Sequence, residues 1–463
     1  EWGPRLDENG NPVPKSERRP KKKVACMIGY CGTGYNGMQI QNNPDVKTIE
    51  NDIFQAFIKA GAVSPENSLD LKKNGFMRAA RTDKGVHAAG NVISCKLIIE
   101  DEDILEKINA NLPSQIRVWG IERTNKSFDC RKMCSSRVYE YLLPTYSLLP
   151  AKPNSILAKF IAENKKAHPG VSRDDEEGDK WWEETLQTIM KEGNISQEDI
   201  FLIQTKVNDT SNPANSNNNE DAEVENVQIN PIVNENGELT ELGKQMRLIK
   251  DTENNCRRSY RISKERLDLF RQAMKQYEGT NNFHNFTLGK HYKDDSAKRF
   301  MKDTSVSEPF IIEGTEWVSI KIHGQSFMLH QIRKMISMAC LIVRTGCPIQ
   351  RIVDCFGPNK INIPKAPALG LLLENPVYEG YNGILEKHGY KPIEFTKYET
   401  EMNEFKMKFI YDKIYGEETK ENTFHGFFNF IDTFKGNETQ SNKDKHIFDF
   451  LGAVFENGLE KKN

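Results

Sequence analysis

The sequence lacks the features that mark membrane-spanning, secreted and zinc-ribbon proteins. No apolar run approaches the roughly 20 residues that a membrane helix needs, so we expect no association with a membrane. The nine cysteines contain no CxxC pair, which argues against a zinc ribbon and a secreted disulfide framework. The histidine spacing fits no metal motif. We therefore expect a chain from a reducing intracellular compartment, with no bound metal.

The near-neutral net charge of −2 conceals an uneven distribution of charge. Residues 163–241 contain 19 acidic and 6 basic side chains, so this stretch carries −13 and the rest of the chain carries +11. A basic folded body favours a polyanionic partner such as nucleic acid, although an ordinary solvated surface explains the charge equally well.

The length of 463 residues predicts two domains with extensions. We expect a basic, disordered tail at 1–23, a first domain at 24–130, a second domain at 131–395 and a helical extension at 396–463. Composition predicts an acidic, Asn-rich disordered insertion at about 174–240. Periodicity predicts an α/β or α+β fold, with the segments in this order: strand 24–30, helix 47–60, strand 91–99, helix 103–110, strands 116–122 and 138–143, helix 267–277, strand 316–322 and helix 327–343.

A glycine motif, Gly32-Thr33-Gly34-Tyr35-Asn36-Gly37, matches the GxGxxG pattern of dinucleotide-binding turns. The residues that follow are polar and end at Pro44, whereas a dinucleotide turn opens directly into a helix. The acidic residue expected about 20 positions later is also missing. The motif therefore gives little support to a nicotinamide or flavin enzyme.

A second motif, Arg81-Thr82-Asp83-Lys84-Gly85-Val86-His87, places a carboxylate between basic residues just before a predicted strand. Loops at strand ends are where a scaffold presents reactive groups. From the residues alone, a structural Asp paired with Arg or Lys at a turn is the favoured interpretation.

This loop resembles the signature of the TruA family of tRNA pseudouridine synthases, in which Arg-Thr-Asp precedes Gly-Val-His. Other segments that resemble the family recur in order at residues 30–32, 35–39, 109–113, 128–131, 137–141, 282–286, 326–334 and 366–373. Cys31, Met38 and Ala80 depart from the bacterial pattern. The segments 79–86 and 282–287 and the long Lys-Ala-Pro-rich C-terminal motif resemble the eukaryotic multisite branch.

The resemblance implies an α+β fold of two domains with mainly antiparallel sheets, joined across a central cleft, with helices on the outer face. It implies that Asp83 is the catalytic carboxylate, that Arg333 pairs with it and that Tyr139 packs on the flipped base. It also implies that Arg81 fills the space that the base leaves. The remaining residues implied to bind substrate are Thr82, His87, Phe327, His330, Leu371 and Leu373. The two leucines would form apolar walls of the pocket, and the two histidines would be structural or contact phosphate.

The resemblance further implies a reaction without a cofactor, in which Asp83 attacks the sugar, attacks uracil C6 or removes the sugar 2′ proton. We expect tRNA as substrate, with small nuclear RNA and mRNA as further candidates, a monomer with a homodimer left open, and a nuclear location. The basic run at 18–23 suits nuclear import, RNA contact or a solvated end alike. The alternative function is a non-catalytic RNA-binding or RNA-chaperone protein, which has no need for the trio of Asp83, Tyr139 and Arg333.

Overall fold

The computed structural model describes residues 19–210 except 42, 44, 69 and 70, residues 237–434, and the short pieces 7, 9–12 and 232–233. The chain divides into two compact units. The first unit comprises residues 1–141, 323–326 and 368–417, and the second comprises residues 142–322, 327–367 and 418–463. The units are interleaved along the chain, so their borders differ from the predicted domain borders at residues 130 and 395.

The strands follow one another in this order: β1 Lys22–Tyr30, β2 Met77–Arg78, β3 His87–Leu97, β4 Ile116–Arg123, β5 Ser136–Pro144, β6 Gly279–Asn282, β7 Lys298–Val306, β8 Phe310–Ile312, β9 Thr315–Gly324 and β10 Leu371–Val377. The α-helices are α1 Ile49–Lys59, α2 Ile104–Ala110, α3 Ile156–Ala167, α4 Glu176–Gly193, α5 Gln197–Thr210, α6 Glu241–Ser259, α7 Lys264–Lys275, α8 Gln331–Thr345, α9 Gln350–Asp354, α10 Glu379–Lys387, α11 Glu399–Phe405, α12 Asp412–Glu421 and α13 Thr423–Thr433. This mixture of a mainly antiparallel sheet with helices confirms the predicted α+β class.

The first unit is built on strands in the order β4-β1-β3-β10-β5, with β2 added beside β3. Every pairing is antiparallel except the short parallel contact between β10 and β3. The apolar side of α1, with Ile53 and Phe57, packs with Ile108 of α2 on the sheet. Thr48 caps the first turn of α1, so the helix begins one residue later. This core supports the strands that carry the predicted catalytic loop.

The second unit contains the antiparallel pairs β6–β7 and β8–β9, with β7 beside β9. Helix α8 is buried along its length, and Tyr277, which follows α7, donates from its hydroxyl to the carbonyl of Met335 at 2.8 Å. A smaller core joins α4, α5 and α6 through Ile189, Ile200 and Ile249.

Three predictions of local structure were wrong. The predicted disordered insertion is helical over α4 and α5, because its apolar residues recur at helical spacing and pack on α6; residues 211–231 lie outside the described residues. The helix predicted from 327 begins at Gln331, since His330 adopts a left-handed conformation with φ 62°. Lys22 and Lys23, predicted in the tail, belong to β1. Among the described residues no helix is both long and apolar enough to cross a membrane.

Candidate active site

Asp83 lies in the loop between β2 and β3, and both its side chain and that of Arg81 are exposed. The carbonyl of Asp83 accepts a hydrogen bond from the Val86 N–H at 3.1 Å, which closes a four-residue turn. Gly85 occupies this turn with φ 77°, a conformation that a residue with a Cβ adopts only with strain. The turn fixes the backbone from which the carboxylate projects.

The glycine motif identified in the sequence packs directly against this loop. Met38 donates its N–H to the Thr82 carbonyl at 3.1 Å, and Gly32 donates its N–H to Nδ1 of His87 at 2.9 Å. A Cβ on Gly32 would lie 2.3 Å from the Val86 carbonyl oxygen, so no larger residue fits there. We therefore interpret these glycines as the support of the Asp83 loop, which accounts for a GxGxxG pattern without a dinucleotide.

A buried polar network holds the loop from beneath. The hydroxyls of Tyr30 and Thr82 are 2.8 Å apart, and the Asn91 amide donates to the Ala80 carbonyl at 3.1 Å and to the Tyr30 hydroxyl at 3.3 Å. Burial raises the pKa of Tyr30, so this phenol stays protonated. Thr82, predicted to bind substrate, is only 8% exposed and directs its hydroxyl into this network.

A buried ion pair ties the surrounding elements together. Glu50 in the first turn of α1 is fully buried, and its Oε2 accepts from Nη2 of Arg78 at 3.1 Å and from the Ile40 N–H at 2.8 Å. Burial raises the pKa of Glu50, while the Ile40 N–H and the Arg78 guanidinium oppose that shift. The pair joins α1, the segment after the glycine motif and β2, which leads into the loop. Our sequence reasoning missed this pair, whose only signal is a charged residue on the apolar side of α1.

Tyr139 and Leu373 face each other across the β5–β10 pair, and Leu371 lies opposite Tyr141. Leu373 is fully buried in the core, Tyr139 packs against the same core, and Leu371 is 9% exposed. Burial raises the pKa of Tyr139 to about 12, and the charge of Asp83 adds a smaller contribution in the same direction. The phenol therefore stays protonated at neutral pH and lies close enough to Asp83 to feel its charge.

His87 begins β3 and is 1% exposed. Burial lowers its pKa to about 4, and the charge of Lys413 acts in the same direction. The ring is neutral at physiological pH, with Nδ1 accepting from Gly32. In this position His87 supports the loop, which agrees with the structural alternative, and its contact with phosphate or substrate remains a prediction.

The three other predicted residues belong to the second unit, within one segment at the start of α8. Arg333 donates from Nε to the Ala366 carbonyl at 2.5 Å, and the Ala366 N–H donates back to the Arg333 carbonyl at 3.1 Å. Phe327 and His330 are partly buried, and His330 is the N-terminal cap residue of α8. Burial lowers the pKa of neighbouring Lys334 to about 8. The pairing of Arg333 with Asp83 remains a prediction.

Within the part of the chain that the structure describes, no group of three or more His, Cys, Asp or Glu side chains is arranged to hold a metal ion. The groups brought together in the first unit are a carboxylate, a protonated phenol and apolar side chains. They can supply a nucleophile or base, a proton relay and a surface for a planar ring.

Comparison with known proteins gives a consistent set of relatives. The family described as tRNA pseudouridine synthase matches residues 273–379. The chain is 58% identical to tRNA pseudouridine synthase 1 of Candida albicans, an alignment that covers 100% of this chain and 75% of that protein. It is 56% identical to tRNA pseudouridine synthase 1 of Saccharomyces cerevisiae, over 97% of this chain and 80% of the relative. It is also 39% identical to the tRNA pseudouridine(27/28) synthase of S. cerevisiae, over 87% and 96% of the two chains.

Proposed function

Because the chain belongs to the TruA family of tRNA pseudouridine synthases, we propose that it converts uridine to pseudouridine at several positions in tRNA. The observation that carries this proposal is the exposed carboxylate of Asp83, held on a fixed turn close to the protonated phenol of Tyr139. A non-catalytic RNA-binding protein would not require this pair to be adjacent.

The reaction breaks the bond between C1′ and N1 of uridine and forms a bond between C1′ and C5. The C5 proton leaves and N1 gains a proton, so substrate and product are isomers and no oxidant or reductant is consumed. Asp83 acts as the nucleophile or base that permits the first bond to break. Tyr139 stacks on the uracil, and its hydroxyl relays the C5 proton.

The remaining predicted residues take supporting roles in this proposal. The guanidinium of Arg333 keeps Asp83 ionised, because a nearby cation favours the charged carboxylate. Arg81, whose side chain is exposed, enters the space left by the flipped base, since flipping requires a few kcal/mol of unstacking energy to be offset. Phe327 and Leu371 border the uracil, and His330 contacts a phosphate of the RNA backbone or keeps a structural role.

The proposal extends to partners and location. Structured RNAs other than tRNA are candidate substrates, and the protein acts as a monomer. We also propose a nuclear location, supported by the resemblance to the eukaryotic branch. The basic run at 18–23 supports it less than expected, because Lys22 and Lys23 lie in β1 and Arg19 pairs with Asp101 at 2.6 Å.

The test is release of tritium from tRNA transcripts labelled at uridine C5, with the parent, Asp83→Asn and the control Asp45→Asn. Asp45 is an exposed acid in the same unit, so its replacement removes the same charge. We expect release by the parent and by the control, and none by Asp83→Asn, with tRNA affinity retained by all three. Binding of tRNA without release by the parent, across a broad set of transcripts, would establish the RNA-binding alternative instead.

A further inference from the structure

Strand β7 of the second unit presents an exposed aromatic ring between two exposed lysines. The side chains of Lys298, Phe300 and Lys302 alternate with those of Arg299 and Met301, and Met301 is fully buried. Because alternate side chains of a strand point to the same face, the two lysines and the ring share the open face. Phe300 is 40% exposed there, so its ring is accessible from solvent.

The neighbouring strand extends this face with small and polar groups. Thr280 of β6 lies directly opposite Phe300, and Asn282 lies opposite Lys298. Asn282 donates from its amide to the Tyr292 carbonyl at 2.7 Å, which holds a second exposed aromatic residue beside the edge of β6. We call Lys298, Phe300, Lys302, Thr280 and Tyr292 the β7 face.

The charge around the β7 face is positive. Residues 290–302 contain five basic and two acidic side chains. One of the lysines, Lys298, is held at 3.1 Å from Asp295, an acid that is itself exposed. Protein-protein interfaces are depleted in lysine at their centres, whereas proteins that bind unpaired nucleotides combine exposed rings on a sheet with nearby cations.

We propose that the β7 face is a second RNA-binding site, in which Phe300 stacks on an unpaired base of the tRNA while Lys298 and Lys302 contact the adjacent phosphates. This site deepens the proposed function and rests on it, because the RNA bound there is the substrate. It contains none of the residues proposed to act on uridine, so it contributes affinity for tRNA and not the chemical step.

The test compares Phe300→Leu with the matched control Phe430→Leu, and Lys298→Gln/Lys302→Gln with Lys180→Gln/Lys244→Gln. Phe430 is an exposed ring on α13 of the same unit, and the control lysines are exposed on α4 and α6. Dissociation constants for tRNA are measured at several salt concentrations, and tritium release is measured at saturating tRNA. Melting temperatures identify any variant that has lost its fold.

We expect Phe300→Leu to raise the Kd for tRNA about tenfold, with a much smaller change in kcat. In the double lysine variant, the plot of the log association constant for tRNA against log salt concentration should become shallower by about two units of slope. The reason is that each of the two lysines neutralises one phosphate. Equal Kd values for Phe300→Leu and Phe430→Leu would overturn the proposal, as would a loss of self-association by Phe300→Leu with unchanged tRNA affinity. If the parent releases no tritium but its tRNA affinity depends on Phe300, the proposed isomerase activity fails while the second RNA site stands.

Discussion

In the first unit an exposed carboxylate projects from a loop held by buried hydrogen bonds, whereas in the second unit an exposed ring lies on the open side of a strand. The Asp83 loop accepts a backbone hydrogen bond from Met38, and the hydrogen-bonded hydroxyls of Tyr30 and Thr82 lie beneath it. Phe300 is 40% exposed and lies opposite the small side chain of Thr280. The first arrangement is suited to fixing the position of a reacting atom and the second to accommodating a flexible ligand.

This difference leads to a division of kinetic effects. Changes near Asp83 are expected to lower kcat, because they displace groups whose position sets the barrier of the chemical step. Changes on the β7 face are expected to raise Kd and KM, because they remove interactions made equally with the ground state and the transition state. Variants of the two regions therefore test whether the effects on kcat and on Kd are separable.

The largest effect is expected for Tyr139→Phe, which retains the ring and removes the hydroxyl. If this protonated phenol relays the C5 proton, its loss lowers kcat by about 10² to 10⁴-fold with little change in KM. Tyr139→Leu should also raise KM, because it removes the stacking surface. The control is Tyr141→Phe on the same face of β5, and single-turnover tritium release is the measurement. A kcat for Tyr139→Phe within threefold of the parent would exclude the hydroxyl from the chemistry.

The next largest effect is expected on stability, from residues on the side of the β5–β10 pair opposite to Tyr139 and Leu373. Lys406 is buried and donates from Nζ to both oxygens of Glu374 at 3.0 and 2.8 Å, and lies 3.2 Å from Glu140. Lys406→Met would remove this cation from the buried Glu140 and the partly buried Glu374, at a cost of about 3–5 kcal/mol in the free energy of unfolding.

Urea denaturation measures this cost. The control is Lys408→Met, because Lys408 lies two residues further along the chain and its side chain is exposed. The control should change stability by no more than about 0.5 kcal/mol. Equal stability of the two variants would show that Glu140 and Glu374 become solvated or protonated when the Lys406 cation is absent. Lys406→Met should also lower kcat if the register of β5 and β10 positions Tyr139.

A smaller effect is expected where the glycine motif meets the catalytic loop. Gly32→Ala places a Cβ 2.3 Å from the Val86 carbonyl oxygen, so the loop must shift, and a shift of about 1 Å at a reacting group lowers kcat by about 100-fold. Gly34→Ala is the control: its Cβ would meet open space, and its φ of 82° adds only strain. Similar kcat values for the two variants, both at saturating tRNA, would contradict the supporting role of the motif.

The sequence predicted most elements because their apolar residues follow simple periodicities, as the agreement at β4 and α2 illustrates. It failed at α4, where acidic residues dominate the composition although Trp182 and Ile189 lie on one side of the helix and are buried.

The Asp83 loop was found through its motif. The Glu50–Arg78 pair was not, because it joins residues 28 positions apart whose contact depends on the folded sheet. The sequence context gave the glycine motif little support as a nucleotide site, but its packing against the loop is a tertiary contact that no local pattern contains.

The smallest effect should appear in the pH dependence of stability, through the buried His87 of the first unit and the partly buried His425 of the second. Burial lowers the pKa of His87 to about 4 and that of His425 to about 2. Since an unfolded histidine titrates near 6.5, the unfolded state binds more protons below that pH, and each residue makes stability fall as the pH is lowered. For His87 this loss begins near pH 6.5, reaches roughly 2 kcal/mol at pH 5 and levels off near pH 4. For His425 the loss continues towards pH 2.

Unfolding free energies of the parent, His87→Gln and His425→Gln between pH 4 and 8 measure these contributions as differences. Each variant should lose stability less steeply than the parent below pH 6.5, because glutamine does not titrate. Only His87→Gln should also lower kcat, because its Nδ1 anchors Gly32 beside the catalytic loop. An equal loss of kcat in both variants would show that a change in the second unit affects the chemical step as much as a change beside the catalytic loop.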